Sequence, residues 1–164
     1  IVNLDEKEYT IGAIVLSNFG LKKDLTVNGK KLGDKIISLE NEEQLEKGSI
    51  IIILATDIPM NERQLKRISK RVPVSLARTG SHIGNGSGDI VIAFTTANKI
   101  NHYEEKDIIT MKIINENRID TIFRAVIETV EESIISSLLH STSTTGRDGN
   151  TRESLNKYID FILK

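Results

Sequence analysis

The sequence predicts an α/β protein built on a mixed sheet, and three features carry that prediction. Short β-branched apolar runs recur along the chain, in "YTIGAIVLSNFG", "SIIIILAT" and "IVIAFT". Between and after them lie segments whose apolar residues return every three or four positions, the period of a helix resting on a core. Asn28-Gly29 supplies a hairpin-type turn, which argues against a purely parallel arrangement.

In chain order, Tyr9 to Gly20 reads as a first strand entering a turn at Asn-Phe-Gly. "LTVNGKKLGDKI" reads as a hairpin with short flanking strands, followed by a charged connector, "NEEQLEK". The run Ile50 to Ala55 is apolar without interruption, which predicts a strand buried on both faces. In "PMNERQLKRISKRV", Leu65, Ile68 and Val72 mark one face of an amphipathic helix, with Asn61 as its cap and Glu62 in its first turn. A glycine-punctuated loop from Ala77 then feeds a strand over Ile90 to Thr95, and "KINHYEEKD" reads as surface loop. Ile119, Phe123, Val126, Val130, Ile134 and Leu138 mark a long helix from about Arg118 to Leu139. "STSTTGRDGNT" breaks it, and Leu155, Ile159 and Ile162 mark a short closing helix.

The 164 residues are about the size of one domain. A net charge of -1 and an aromatic content of 4% give neither a phosphate-attracting field nor stacking platforms, so nucleic acid is not an expected partner. The absence of cysteine removes disulfides, thiolate nucleophiles and zinc–thiolate sites. No apolar run is long enough to span a bilayer and no signal-peptide pattern opens the chain, so the expectation is a soluble, cytoplasmic protein without membrane partners. The chain opens on Ile1 in mid-pattern, as a piece of a longer protein would.

A serine hydroxyl needs a base, and His82, His102 and His140 are the only histidines. "GNGSGD" puts glycine on both sides of Ser87, but it runs from loop to strand, whereas the nucleophile elbow of hydrolases runs from strand to helix. Gly48-Ser49 offers other chemistry. Ser49 can attack the preceding carbonyl, which glycine leaves unobstructed, and exchange an amide for an ester; hydrolysis then frees the Ser49 α-amine as a base. Read from residues alone, Gly48-Ser49 is equally an ordinary turn, Asn18 a turn residue, and Ser87 and Asp89 a loop hydroxyl and a capping carboxylate. Gly80, Gly84, Gly86 and Gly88 lack the Gly-Lys-Ser/Thr and helix of a phosphate cradle. The basic residues of "RQLKRISKR" read as a solvated helix face.

The stretch from Gly48 to Asn98, with "YTIGAIVLSNFG" upstream and "SLLHSTSTTGRDG" downstream, resembles the L-aminopeptidase/D-Ala-esterase/amidase family, which includes the β-peptidyl aminopeptidases. The resemblance implies an αββα sandwich similar to the N-terminal nucleophile (Ntn) hydrolases with variant connectivity, of which this chain is a portion. It implies self-cleavage between Gly48 and Ser49, so that residues 1–48 end one chain and residues 49–164 form the other. Ser49 becomes the nucleophile, Ser87 and Asp89 manage protons around its amine, and Asn18 holds the oxyanion. The implied substrates are short peptides or aminoacyl amides and esters, and no metal or other cofactor is implied. The remaining partners are the upstream region of the same protein and further copies of itself. A related acyltransferase of the ornithine acetyltransferase type, which uses threonine, and an uncleaved binding protein of the same fold are the alternatives. "TTGRDG" is given only a backbone role through Gly146 and Gly149, and His140, which stands where the family pattern has a small residue, is given none.

Overall fold

The strand β6 (Ser49–Thr56) lies at the centre of a three-stranded sheet, antiparallel to β3 (Ile11–Asn18) on one side and parallel to β7 (Ile90–Thr95) on the other. The sheet is mixed, as expected, but the Asn28-Gly29 hairpin that suggested it forms a separate two-stranded sheet. In this computed structural model, which describes residues 1–37 and 48–162, every second residue of β6 enters a core. Ile50, Ile52 and Leu54 are fully buried, whereas Ser49, Ile51 and Ile53 face outward. The expectation that this strand is covered on both faces is therefore corrected: helices cover one face, and the described residues place nothing on the other. An unbroken apolar run conceals which of its two faces a given element covers.

The covered face packs on three helices. The connection from β6 to β7 passes through α2 (Glu62–Ser69) and α3 (Val72–Arg78), and α4 (Ile119–His140) lies against β3 and α3. Asn61 caps α2 in a reciprocal box: its side chain accepts from the Gln64 amide, and the Gln64 side chain accepts from the Asn61 N–H. Arg118 precedes α4, which buries Ile119, Phe123, Val126, Val130 and Ile134 as their spacing predicts, with Leu138 partly buried. Ser133 of α4 donates to the Ala13 carbonyl, and Ser137 shares a hydrogen bond of 2.7 Å with Ser17, so the helix is stitched to β3 by polar contacts as well as apolar ones.

Two readings of the sequence change. Val72 does not end the first helix; it opens the second, α3, whose Pro73 sits in the first turn, and the segment Ala77–Arg78 taken as loop completes α3. Gln64, not Leu65, is the fully buried residue of α2's first turns. The remaining elements are small. β1 (Val2–Leu4) and β2 (Lys7–Tyr9) form a hairpin, as do β4 (Thr26–Val27) and β5 (Lys30–Lys31), where Asn28 and Gly29 take positive φ as the turn signal predicts. α1 (Gly33–Ile37) follows, and the connector "NEEQLEK" lies outside the described residues. After α4 come the hairpin β8 (Thr144–Thr145) and β9 (Thr151–Arg152), a 3-10 turn at Leu155–Tyr158 and α5 (Ile159–Ile162). Among the described residues, no helix is long and apolar enough to cross a membrane.

Candidate active site

The last residue of β3 and the first residue of β6 are register partners: Asn18 stands opposite Ser49. Side chains alternate along a strand, so the parity that buries Ile50 turns Ser49 to the uncovered face, and the parity that exposes Leu16 does the same for Asn18. The two residues thus share one end of one face. Directly opposite residues in an antiparallel pair bring their Cβ atoms to about 4.5–5.5 Å, close enough for one small substrate group to meet both side chains.

Gly48 is fixed by the same strand end. A Cβ built there would lie 1.9 Å from the Asn18 carbonyl oxygen and 2.9 Å from the Phe19 Cα, so no residue with a side chain fits without moving the Asn18–Phe19 backbone. This close approach holds the Gly48–Ser49 peptide against the residue expected to bind an oxyanion.

The glycine-rich loop supplies the third part of the site. The Gly88 N–H donates to Ser49 Oγ at 3.0 Å, and the flanking residues are joined over it, with Ser87 Oγ donating to Asp89 Oδ1 at 2.7 Å. A Cβ at Gly88 would approach Ser49 Oγ to 3.5 Å, ordinary contact, so Gly88 permits closeness without demanding it. Asp89 Oδ2 is buried and has no hydrogen-bond partner among the described residues. Such an acceptor costs on the order of 1–3 kcal/mol until a donor fills it.

Ser49, Asn18, Ser87 and Asp89 therefore gather at one edge of the sheet, together with Gly48. The Gly88 amide is the part that sequence reasoning passed over, because a backbone donor leaves no side-chain signature; its only signal was the glycine between Ser87 and Asp89. Two of the histidines make contacts elsewhere. His102 meets Tyr103 edge-on, and His140 packs its Nδ1 against the Ser136 carbonyl at 2.9 Å, closing the last turn of α4. Cavities of about 370 Å³ near Asn3 and Arg118, and of about 410 Å³ within the loop of residues 97–112, are lined by none of the gathered residues.

The model of peptidase family S58 matches residues 1–152. The chain belongs to that family. Among solved structures, a protein from Pyrococcus horikoshii OT3 is 45% identical and superposes with a TM-score of 0.89, over 99% of this chain and 44% of that one. The L-aminopeptidase D-Ala-esterase/amidase of Ochrobactrum anthropi, described as a prototype for the serine aminopeptidases and a new variant of the Ntn-hydrolase fold, is 29% identical with a TM-score of 0.85, over 99% of this chain and 45% of that one. The beta-peptidyl aminopeptidase of Sphingosinicella microcystinivorans is 33% identical over 94% of this chain and 43% of its own length. The family resemblance of the sequence and its fold, a portion of the Ntn-hydrolase variant, are thereby shown. The chain spans less than half the length of each of these relatives.

Proposed function

We propose that the S58 protein to which this chain belongs is an aminopeptidase that releases N-terminal residues from short peptides, amides or esters through an acyl-enzyme on Ser49. One observation carries the reading. Ser49 opens the central strand opposite Asn18, receives a hydrogen bond from the Gly88 N–H, and follows a glycine that has room for no side chain.

Maturation comes first. Ser49 Oγ attacks the Gly48 carbonyl carbon, the C–N bond breaks as the nitrogen takes up a proton, and water hydrolyses the resulting ester to a Gly48 carboxylate and a free Ser49 amine. An α-amine titrates near pH 7.7–8.0, so a useful share is neutral at physiological pH. In turnover this amine accepts the Ser49 hydroxyl proton as Oγ attacks the substrate carbonyl. The Asn18 side-chain amide and the Gly88 N–H are the donors for the oxyanion. Protonating the amine creates a cation, and the unfilled Asp89 Oδ2, held in place by Ser87, is the acceptor suited to it. The amine then protonates the leaving nitrogen, and water cleaves the acyl-enzyme by the reverse route.

The uncovered sheet face belongs to the same proposal. Leu16, Ile51 and Ile90 form one row across the three strands, and Ile14, Ile53 and Ile92 the next. Ile14 and Leu16 are 72% and 71% exposed, which leaves an apolar surface continuous with the catalytic end. The occupant proposed for this face is the upstream region of the same polypeptide, completing the sandwich and walling the substrate site; homo-oligomer formation is part of the proposal. The test of the chemistry is hydrolysis of an L-aminoacyl p-nitroanilide by the full-length protein, with mass analysis of an acid-quenched reaction. An acyl adduct on Ser49 is expected, and turnover without any adduct on a peptide containing Ser49 would contradict the reading.

A further inference from the structure

The segment "KINHYEEKD" and its flanks, residues 98–112, hold no helix or strand, yet their two ends are fastened together. Asn98 Oδ1 accepts from the Lys112 N–H at 3.0 Å, while Asn98 Nδ2 donates to the Lys112 carbonyl at 2.9 Å and to the Met60 carbonyl at 3.2 Å. The result is a loop held at its neck. It leaves the Thr95 end of β7, the end of the sheet away from Ser49.

Water alone does not suit this loop. Tyr103 and Ile108 are 87% and 84% exposed, and Ile100 and Met111 are exposed with them, a concentration of apolar groups typical of a surface that docks. Two features favour a second copy of the same chain as the partner. The first is charge: Lys99, Lys106 and Lys112 balance Glu104, Glu105 and Asp107, and none of these six side chains belongs to an ion pair among the described residues. A segment with equal numbers of both signs is complementary to itself across a two-fold axis, where the cations of one copy meet the anions of the other. The second is shape. A cavity of about 410 Å³ opens within the loop, with Ile100, Ile108 and Met111 among its walls, whereas Tyr103 is not one of them. One loop thus offers both a projecting ring and a recess.

We propose that residues 98–112 are the surface through which two copies of this protein associate, each loop on its counterpart, with Tyr103 of one copy entering the recess of the other. The fastened neck presents the loop in one shape before contact, which lowers the entropy lost on association. This names the surface for the self-association included in the reading above, and it is independent of the chemistry at Ser49.

The experiment is sedimentation of the full-length protein and of two charge-reversed forms of it. One form combines Glu104→Lys, Glu105→Lys and Asp107→Lys; the other combines Lys99→Glu, Lys106→Glu and Lys112→Glu. Each alone is expected at half the wild-type mass or less, and an equal mixture of the two is expected to recover the wild-type mass. Tyr103→Ala weakens the association about tenfold or more. A monomeric wild type, a reversed form that keeps the wild-type mass, or two folded reversed forms that stay apart on mixing overturn the proposal. An unchanged mass with a lowered thermal midpoint places the loop against another part of its own chain and overturns it equally. If the reversed forms lack the circular dichroism of the wild type, Tyr103→Ala decides, and association within about twofold of the wild type overturns the proposal. Turnover of an aminoacyl p-nitroanilide by the same samples reports on the catalytic reading separately.

Discussion

At the scale of single residues, the space around Gly48 governs the site. A methyl group there collides with the Asn18 carbonyl, so Gly48→Ala is expected to displace the Asn18–Phe19 backbone and to leave the Gly48–Ser49 bond intact. Intact mass shows the unsplit chain, and the thermal midpoint separates this from general unfolding. Asn18→Ala removes a donor that no protonation change can replace; kcat is expected to fall by about 10²–10³ with KM little changed, measured on an aminoacyl p-nitroanilide. These side chains were singled out through the family resemblance, because residue type alone reads Asn18 as a turn residue and Ser87 and Asp89 as a loop hydroxyl and a capping carboxylate. The steric demand on Gly48 and the Gly88 donor were not, since both act through the backbone and appear only once β3, β6 and the glycine loop are brought together.

At the scale of elements, Gln64 links three pieces of structure. Besides closing the α2 capping box, its buried amide donates to the Ile114 carbonyl at 2.9 Å and to Glu116 Oε1 at 2.8 Å, fixing the segment that leads into α4. Gln64→Ala is expected to cost about 2 kcal/mol in a denaturant titration, by leaving the Ile114 carbonyl unsatisfied. That amide, helped by Arg63 and Arg67, also holds the Glu116 carboxyl below its ordinary 4.5 against the opposing effect of desolvation. A carboxyl lowered on folding stabilises the fold above its unfolded value and loses that contribution as pH falls through the lowered one. Thermal midpoints measured from pH 6 down to pH 3 should therefore fall less steeply in Glu116→Gln than in the wild type. The sequence revealed α2, its cap and α4 because periodicity and capping are local. It hid the break before α3, because Leu65, Ile68 and Val72 keep helical spacing while Pro73 removes an N–H from the ladder. It also hid the burial of Gln64, a polar residue whose partners are about fifty positions away.

At the scale of the whole molecule, the sheet has one face in a core and one face of isoleucine and leucine in solvent. The run Ile50 to Leu54 is apolar on both parities, a pattern suited to a strand covered twice. The proposal that residues upstream cover the second face predicts that the isolated 164-residue chain binds a hydrophobic dye and self-associates on a sizing column. The full-length protein should do neither through this face, and equal dye binding by the two would contradict the proposed cover. The central claim, that Ser49 becomes an N-terminus, is tested most directly by the intact mass of the full-length protein under denaturing conditions. The account predicts two chains divided between Gly48 and Ser49 in the wild type and one undivided chain in Ser49→Ala. A wild-type protein that hydrolyses aminoacyl substrates at full rate while that bond stays whole would contradict it.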